Sequence, residues 1–512
     1  MKITQANFYK DVCKLIALEV VAIIACRLTS GNFLAVVAIF GLYSAITAKV
    51  GWAVSSSIFL AIAMDLNPNV LPHEGVAVGF SSRFGILLIG IALGLVGMKR
   101  NGTQTLRFGY MLPFLFIAMV SSSLGWAPLV SQLKLVNFLV FLFSFGFGLR
   151  NMQLIQNDLV FVRKFIFATC ALIVIGSAIS ILDPAIAYHT SLKNVIRQEG
   201  LEGATAYYYA EAGSSSFSSL FGGITNQSQT LAPILSCMVC FVLCDMLFIE
   251  RRFDAIRFGL LLLMHVMSYA TRSRTGLFSL LIADCMCLMY LPRKISIPSK
   301  IRQWVTHISV LMVALVISAG ALVEVRGDGI SRWLRKTNDV AGDTRTLQEA
   351  VTTTRQGLID MSISDFRRNP WVGMGFQVAE YTNEFLKYNN GAFILSSPIE
   401  KGVLPVMILG ETGVFGFIAF IVFLLCFWSD TASKHNYITL SMFAVMISTN
   451  AGEATFFSPG GTGGTLWWIS VGGGFCLDTI LKSGVCNDFP SSAHYELPRN
   501  EYLNSPSMNA RH

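Results

Sequence analysis

The hydrophobic residues of this chain are gathered into long runs that short polar segments separate. A helix needs about 20 mainly apolar residues to cross the hydrocarbon core of a bilayer. The repeated runs therefore predict roughly fourteen membrane-spanning helices. We place them at about 12–27, 33–48, 51–64, 83–98, 107–124, 135–149, 165–182, 228–249, 257–270, 275–291, 303–323, 403–428, 436–449 and 464–481.

This pattern predicts an all-α polytopic membrane protein with about 12–14 transmembrane helices and a large, partly helical outer loop. The two longest polar stretches, 183–227 and 324–402, are predicted to be loops on the outer face. They separate three regions of transmembrane helices, at 1–182, 228–323 and 403–481. The tail at 482–512 is polar, so we predict a disordered cytoplasmic end there.

The second outer loop has a pattern that predicts an amphipathic helix over about 346–368. Thr346 and Glu349 have the spacing of a capping box, in which each side chain satisfies a main-chain donor. Apolar side chains then recur on one helical face, at Leu347, Val351, Leu358 and Met361. The helix should end at Asn369, because a residue before proline is pushed out of helical geometry. A turn at Gly373–Gly375 follows.

The composition agrees with a membrane protein and argues against a string of soluble domains. Hydrophobic residues make up 53% of the chain, charged residues make up 13%, and the mean hydropathy is +0.58. A typical soluble protein has about 25% charged residues. The eleven cysteines lie almost wholly in or beside the apolar runs, so no disulfide framework is predicted.

The net charge of +8 is distributed unevenly along the chain. With the N-terminus in the cytoplasm, basic residues fall in alternate loops, which is the positive-inside pattern. The basic residues on the inner side are Lys99, Arg100, Arg107, Arg150, Arg163, Lys164, Arg251, Arg252, Arg257, Arg293, Lys294, Lys300 and Arg302. We therefore predict that both termini are cytoplasmic. The basic excess is a signal of topology, and no nucleic-acid partner is predicted.

Arg272 and Arg274 depart from this pattern, because they lie in a tight turn between two apolar runs on the predicted outer face. A guanidinium group stays charged and requires water, an anion or a carboxylate. Its planar fork suits the oxygens of a phosphate group. One interpretation is therefore a site for a negatively charged substrate. The other is a pair of structural arginines that reach the lipid headgroups.

Further candidates for chemistry lie in the second outer loop and beside it. Arg355 borders the apolar face of the predicted helix, and Arg345 precedes that helix. Glu400 comes just before the next apolar run, where a carboxylate could deprotonate an acceptor hydroxyl. Glu400 and Lys401 could equally be ordinary interfacial charges. The histidines and cysteines show no clustering with metal-ligand spacing, so neither a metal nor another cofactor is predicted.

Four segments of the chain resemble motifs of one family, the O-antigen ligase and Wzy-type polysaccharide polymerase superfamily. Ser273–Gly276 resembles its arginine motif. Arg355, followed by Asn369–Gly375, resembles a second arginine block that ends in a Pro-x-x-Gly-x-Gly turn. Glu411–Gly416 resembles a Glu-x-Gly-x-x-Gly motif, and Gly223–Asn226 is similar to a weaker turn. The resemblance covers about residues 190–475.

The resemblance implies metal-independent inverting glycosyl transfer on the periplasmic side of the bacterial inner membrane. The donor would be a glycan linked to undecaprenyl diphosphate, presented by the lipid bilayer. Arg274 and Arg355 would bind the diphosphate as catalytic residues. The predicted substrate-binding residues are Arg272, Arg345, Lys401 and Asn226. Ligases of the family have a histidine as proposed base, but this chain has Glu400 in the corresponding stretch.

The substitution of Glu400 for that histidine favours a polymerase of oligosaccharide repeat units, which would make surface polysaccharide or exopolysaccharide. Other polysaccharide assembly proteins are its expected partners. One alternative is a ligase that transfers finished glycan to lipid A core or to protein. An alternative of another class is a transporter of a glycan or small anion, although no repeated halves are evident. A non-catalytic assembly subunit is the third alternative.

Overall fold

The computed structural model describes residues 5–29, 33–47, 66, 70, 107–154, 159–188, 221–225, 228–252, 254–295, 303, 307, 347–380, 382, 403–458 and 462–483. Regular structure in these ranges is helical, and the β contact found there is one isolated bridge between Leu66 and Thr225. The predicted all-α class is therefore confirmed.

The helices are α1 (Gln5–Leu28), α2 (Phe33–Ile46), α3 (Leu112–Leu124), α4 (Pro128–Leu154), α5 (Leu159–Ser180), α6 (Pro184–Ala187), α7 (Ser228–Cys244), α8 (Ala255–Ala270), α9 (Arg274–Cys285), α10 (Leu291–Lys294), α11 (Leu347–Arg368), α12 (Leu404–Ser433), α13 (Tyr437–Thr449), α14 (Thr462–Trp467) and α15 (Gly473–Ser483). A 3-10 turn at Arg107–Met111 leads into α3. Turns of π-helix extend three of the helices, at Asp245–Glu250, Met286–Tyr290 and Trp468–Gly472.

Five helices in the described ranges are long and apolar enough to cross a membrane. They run over Pro128–Gly146, Leu159–Ser180, Ser228–Glu250, Arg274–Lys294 and Leu404–Ser433. Shorter apolar helices cover Phe108–Leu124, Ala255–Ala270 and Tyr437–Thr449. The chain is thus a polytopic membrane protein. The predicted spans at 51–64 and 83–98, and all of 303–323 except residues 303 and 307, lie outside the described residues. The total helix count therefore stays a prediction, as do the boundaries of the six regions.

Helix α7 is the centre of the bundle, because all of its residues except Gln229 are buried. It packs closely on α9 through small residues. A Cβ atom added to Gly276 would lie 2.3 Å from the Cβ of Ala232. The hydroxyl of Ser236 donates a hydrogen bond to the carbonyl oxygen of Gly276 at 2.9 Å. These contacts hold the first turn of α9 against the core.

At the opposite end of α7, a buried network of charged side chains joins three helices. Asp245 accepts hydrogen bonds from Arg257 at 2.9 Å and from Arg163 at 3.1 Å. Arg163 also pairs with Glu250. Arg163 and Arg257, which charge distribution assigned to loops, are only 2% and 0% exposed. The loop placement was wrong for these two residues, because carboxylates on the π-helical extension of α7 neutralise them inside the protein.

Asp254 completes the network just before α8, outside the membrane-spanning segments. Its carboxylate caps α8 by accepting from the backbone N–H of Ile256 at 3.0 Å. Burial acts to raise the pKa of this carboxyl group, but the Tyr9 hydroxyl and the Arg257 guanidinium outweigh burial and lower the pKa below its usual value. Asp254 is therefore charged at neutral pH and balances Arg257.

Replacing Asp245 with asparagine should destabilise the protein by about 3–5 kcal/mol, because two buried guanidinium groups would lose a shared counter-charge. The measurement is the unfolding of purified protein in detergent. Asp430→Asn is the matched control, since Asp430 pairs with exposed Lys434 at 2.7 Å. Such a surface pair is worth about 0–1 kcal/mol. Equal stability of the two variants would contradict a structural role for the network.

Two acidic side chains within apolar helices find polar neighbours that sequence alone does not reveal. Glu19 accepts a hydrogen bond from the hydroxyl of Thr169 at 2.8 Å and another from Tyr43 at 3.4 Å. Asp284 lies 3.3 Å from the Nε2 atom of His265. Among the described residues, two hydroxyl groups therefore contact the carboxyl group of Glu19, and an imidazole contacts that of Asp284.

Three cysteines converge inside the bundle, so the prediction that no cysteine cluster forms is wrong. The Sγ atom of Cys287 lies 3.4 Å from that of Cys240 and 3.6 Å from that of Cys244. Helix packing joins these residues although 47 and 43 positions separate them in the chain. The Cys287 thiol also donates to the carbonyl oxygen of Cys240 at 3.7 Å. Such contacts fit neutral thiols packed as small hydrophobic groups. The prediction of no metal site stays a prediction.

Candidate functional site

The Ser-Arg-Thr turn, residues 271–276, connects α8 to α9 as the sequence predicts. Thr271 accepts a hydrogen bond from the backbone N–H of Ser273 at 3.3 Å. Arg272 takes a left-handed conformation, with φ of 51°. The Ser273 hydroxyl accepts from the N–H of Gly276 at 3.2 Å and so caps α9. Arg274 is therefore the first residue of α9, at the positive end of the helix dipole. Both arginines are half-buried.

The predicted amphipathic helix is confirmed as α11, and its buried face lies against α12. Leu358, Ser362 and Asp365 are buried on that face. A Cβ atom added to Gly410 of α12 would lie 2.7 Å from the carbonyl oxygen of Ser362. The α11 helix therefore rests directly on the main chain of α12.

The chain after α11 forms the Pro-Gly turn, residues Pro370–Gly375, which docks on α12. The N–H of Met374 donates to Gly410 at 3.0 Å, and the N–H of Gly375 donates to Glu411 at 3.1 Å. In return the N–H of Val414 donates to Pro370 at 2.8 Å. The second and third motifs of the sequence therefore form one hydrogen-bonded unit, although about forty residues separate them.

Helix α12 breaks at Gly413 to make this docking possible. Gly413 has φ of 64° and ψ of −167°, a region that is essentially restricted to glycine. A Cβ atom there would lie 2.4 Å from the main chain of Trp371. Ser121 of α3 secures the joint, because its hydroxyl donates to the carbonyl oxygen of Glu411 and accepts from Gly375 at 3.0 Å.

A third segment, the 450–458 loop between α13 and α14, touches all the others. A Cβ atom on Gly452 would lie 2.1 Å from the hydroxyl oxygen of Thr275, in the Ser-Arg-Thr turn. The N–H of Leu404, which begins α12, donates to Asn450 at 3.3 Å. The side chain of Gln377, just after the Pro-Gly turn, donates to Phe457 at 2.6 Å. This loop therefore connects the arginine motif to the unit built by the other two motifs.

Surrounding side chains fix the segment that carries Gln377. Lys134 of α4 is buried and donates to the carbonyl oxygen of Gln377 at 2.9 Å. Ser131 donates to Phe376 at 2.9 Å. The ring of Phe457 packs on five other aromatic rings, those of Phe114, Phe138, Phe376, Phe420 and Phe456. This packing buries the 375–379 segment against the helices, whereas sequence analysis predicts it as part of a loop.

An apolar groove of about 420 Å³ lies between α3 and α12 beside the Pro-Gly turn. Phe116, Val372, Phe415 and Ile418 are among the residues that line it. The ring of Trp371 stacks on Phe415 at 5.5 Å between centroids, and both rings are exposed. A groove of this kind accepts hydrocarbon chains, such as those of lipids.

The predicted site residues differ in how far the structure describes them. Arg272 and Arg274 occupy the Ser-Arg-Thr turn. Arg355 lies on α11, where the structure describes its backbone but not its side chain. Glu400, Lys401, Arg345 and Asn226 lie outside the described residues. The convergence of Arg274, Arg355 and Glu400 in one cavity therefore stays a prediction.

The three main motifs occur in the order 273–276, 355–375 and 411–416, and two of them interlock through main-chain hydrogen bonds. Residues 259–421 match the O-antigen ligase family. The resemblance seen in the sequence is thereby confirmed for this part of the chain. The segment that matches the O-antigen ligase family contains every motif of that order and ends before the 450–458 loop. No curated protein matches the chain.

Sequence analysis missed the residues that join the motifs, namely Ser121, Gln377, Asn450 and Gly452. Part of the signal is present, because Asn450–Glu453 is a polar interruption between two apolar helices. The pattern does not reveal which distant segment such an interruption contacts. That information comes only from the packing of α9 and α13 on α7 and of α12 on α13.

Proposed function

We propose that this protein polymerises oligosaccharide repeat units carried on undecaprenyl diphosphate. The reaction would be metal-independent inverting glycosyl transfer on the periplasmic face of the bacterial inner membrane, with both termini in the cytoplasm. The family match supports the broader role of an O-antigen ligase or polymerase type of glycosyltransferase. The observation that carries the proposal is that the 450–458 loop contacts both Thr275 beside Arg274 and the N-terminus of α12.

In the proposed reaction, Arg274 and Arg355 bind the diphosphate of the donor. The acceptor hydroxyl oxygen forms a bond to the anomeric carbon, on the face opposite the departing group. The bond from that carbon to the diphosphate oxygen breaks, and the diphosphate leaves with the electron pair. A preorganised guanidinium group stabilises the negative charge that develops there. The dipole of α9 adds to this effect at Arg274. Arg272, Arg345, Lys401 and Asn226 are proposed to contact the substrate.

The apolar groove beside the Pro-Gly turn supports a lipid-linked donor, because a polyprenyl chain needs a hydrocarbon environment while its diphosphate needs charge. The groove and the turn share Val372 among their residues. Bilayer lipid would occupy the groove when the donor is absent.

Glu400 is the proposed base that accepts the proton of the acceptor hydroxyl. It precedes Val403 by three residues, and three residues of chain reach at most about 11 Å. The residue after Val403, Leu404, bonds to the 450–458 loop. A polymerase with a glutamate base fits the absence of histidine from this stretch of sequence.

Replacing Glu400 with glutamine should lower kcat by about 10²–10⁴-fold, because the proton would lose its acceptor. Donor binding should change little, since the carboxylate acts on the acceptor. The assay follows chain growth by purified protein in liposomes that contain the lipid-linked oligosaccharide. Glu380→Gln is the control, because Glu380 is exposed and pairs with Arg368 at 3.0 Å. Full activity of the Glu400 variant would exclude it as the base.

The product of the same assay decides between the alternatives. A polymerase makes longer chains on the carrier lipid, and cells that lack its activity should show single repeat units on acceptors. If the protein is instead a ligase, cells that lack its activity should retain full-length chains on the carrier lipid. Solute uptake into the liposomes with no new glycosidic bond would indicate a transporter. A purified protein that does neither would indicate an assembly subunit and would contradict the proposal.

A further inference from the structure

Gly452 of the 450–458 loop lies directly against the Ser-Arg-Thr turn. The three heavy atoms nearest to a Cβ atom added there all belong to Thr275: the hydroxyl oxygen at 2.1 Å, and the Cβ and Cγ2 atoms at 3.1 Å. Gly452 is not one of the described glycines with positive φ. Its backbone therefore suits an ordinary residue, and the need for glycine arises from the contact with Thr275.

Hydrogen bonds hold the 450–458 loop in place, so that it can act as a fixed support for this contact. The side-chain oxygen of Asn450 accepts from the N–H of Phe456 at 2.7 Å, and its amide donates to Met446 at 2.9 Å. The N–H of Gly464 donates to Ser458 at 2.9 Å, which anchors the far end of the loop. Trp467 donates to Phe456 at 3.1 Å. Side-chain and main-chain bonds thus hold both ends and the middle of the loop.

The opposite side of the contact is equally constrained. Gly276 lies against Ala232, and the Gly276 carbonyl oxygen accepts from Ser236. Thr275 thus contacts Gly452 on one side, while the next residue, Gly276, is held against α7. Arg274 directly precedes Thr275 in the chain, so the position of Arg274 depends on that of Thr275. A displacement of Thr275 must therefore move or rotate the first turn of α9.

We infer that Gly452 is a positioning residue for the diphosphate site, which it serves by holding Thr275 and thereby the direction of Arg274. This inference rests on the proposed function and assigns a role to a loop outside the matched residues 259–421. An ordinary contact begins near 3.4 Å, so a side chain on Gly452 would push the two segments apart by roughly 1 Å. A misplacement of that size near a reacting group can cost about 10²-fold in rate.

The test begins with Gly452→Ala in the full-length protein in nanodiscs, with undecaprenyl diphosphate as the binding probe. We expect its affinity to fall about tenfold or more, and kcat/KM for chain growth to fall by about 10–100-fold. Gly259→Ala is the matched control, because a Cβ atom on Gly259 would meet nothing within 4 Å. The control should behave like the unaltered protein in both measurements.

Rescue separates positioning from a general loss of structure. Thr275→Ser removes the γ-methyl group and lets the hydroxyl rotate away from the new Cβ atom. The double variant with Gly452→Ala and Thr275→Ser should therefore bind the probe within about twofold of Thr275→Ser alone. Failure of this rescue would overturn the inference, as would normal probe affinity in Gly452→Ala.

Arg274→Ala distinguishes failure of the inference from failure of the proposed function. If Arg274→Ala loses the probe and Gly452→Ala retains it, the diphosphate site stands and the positioning role of Gly452 is overturned. If Arg274→Ala also retains the probe, the proposed function fails at its central residue, and the inference fails with it. Loss of affinity in both variants, with rescue by Thr275→Ser, supports the inference.

Discussion

Replacing Arg274 with alanine is expected to abolish long-chain polysaccharide while the protein remains folded in the membrane. In the proposed reaction this guanidinium group stabilises the charge on the departing diphosphate. The loss of one preorganised donor of that kind lowers kcat by about 10²–10³-fold. The side chain is half-buried at the start of α9, so its removal leaves the helix cap at Ser273 and the packing at Gly276 intact.

The measurement is the distribution of chain lengths in cells, with the amount of protein in the membrane fraction as a check. Arg272→Ala is the matched control, because Arg272 lies in the same turn and is also half-buried. Its effect should be smaller. Arg274→Lys keeps the charge but loses the bidentate fork, and it should restore only part of the activity. Normal chain lengths in Arg274→Ala would contradict the proposed function.

Replacing Gly413 with alanine is expected to have the largest effect on the fold, because it should disrupt the docking of the Pro-Gly turn on α12. The conformation at Gly413 costs a non-glycine residue of the order of 1–3 kcal/mol in strain. The new Cβ atom would in addition lie 2.4 Å from the carbonyl carbon and oxygen of Trp371 and 2.6 Å from the nitrogen of Val372. Main-chain atoms cannot rotate aside, so the Pro-Gly turn should separate from α12.

Thermal unfolding and limited proteolysis of the purified protein check this prediction. The variant should unfold at lower temperature and become sensitive to cleavage near residues 375–379, where the chain is buried in the unaltered protein. Gly259→Ala again provides the control, because its site is open. Unchanged stability and unchanged protease resistance in Gly413→Ala would show that the docking is not required.

Sequence patterns predict helices well in this protein because most helices have a continuous apolar character or a clear stripe. The α11 helix illustrates the second case, since Leu358 marks its buried face and Asn369–Pro370 marks its end. The arginine and glycine motifs are likewise recognised from the spacing of residues within short segments. Each of these signals is contained within a short window of the chain.

Contacts between residues that lie far apart in the chain cannot be predicted from such short windows. Arg163 and Asp245 lie 82 positions apart, and only the packing of α5 on α7 shows that their charges cancel. The distribution of charge along the sequence places Arg163 in a loop, because that pattern does not show which distant carboxylate pairs with it. The contact of Gly452 with Thr275 is hidden for the same reason. The Pro-Gly turn was predicted locally, but its burial depends on a break in a helix that begins about thirty residues later.

The break in α12 also bears on how this helix and the α11 segment depend on each other. A broken helix leaves main-chain donors and acceptors without their usual partners, which hydrocarbon cannot replace. Here four hydrogen bonds with the Pro-Gly turn satisfy these groups: the turn donates two of them and α12 donates the other two. Removal of α11 and the Pro-Gly turn would therefore expose unpaired peptide groups of α12. This segment is thus a structural complement of the membrane helix, and neither should reach its native state alone.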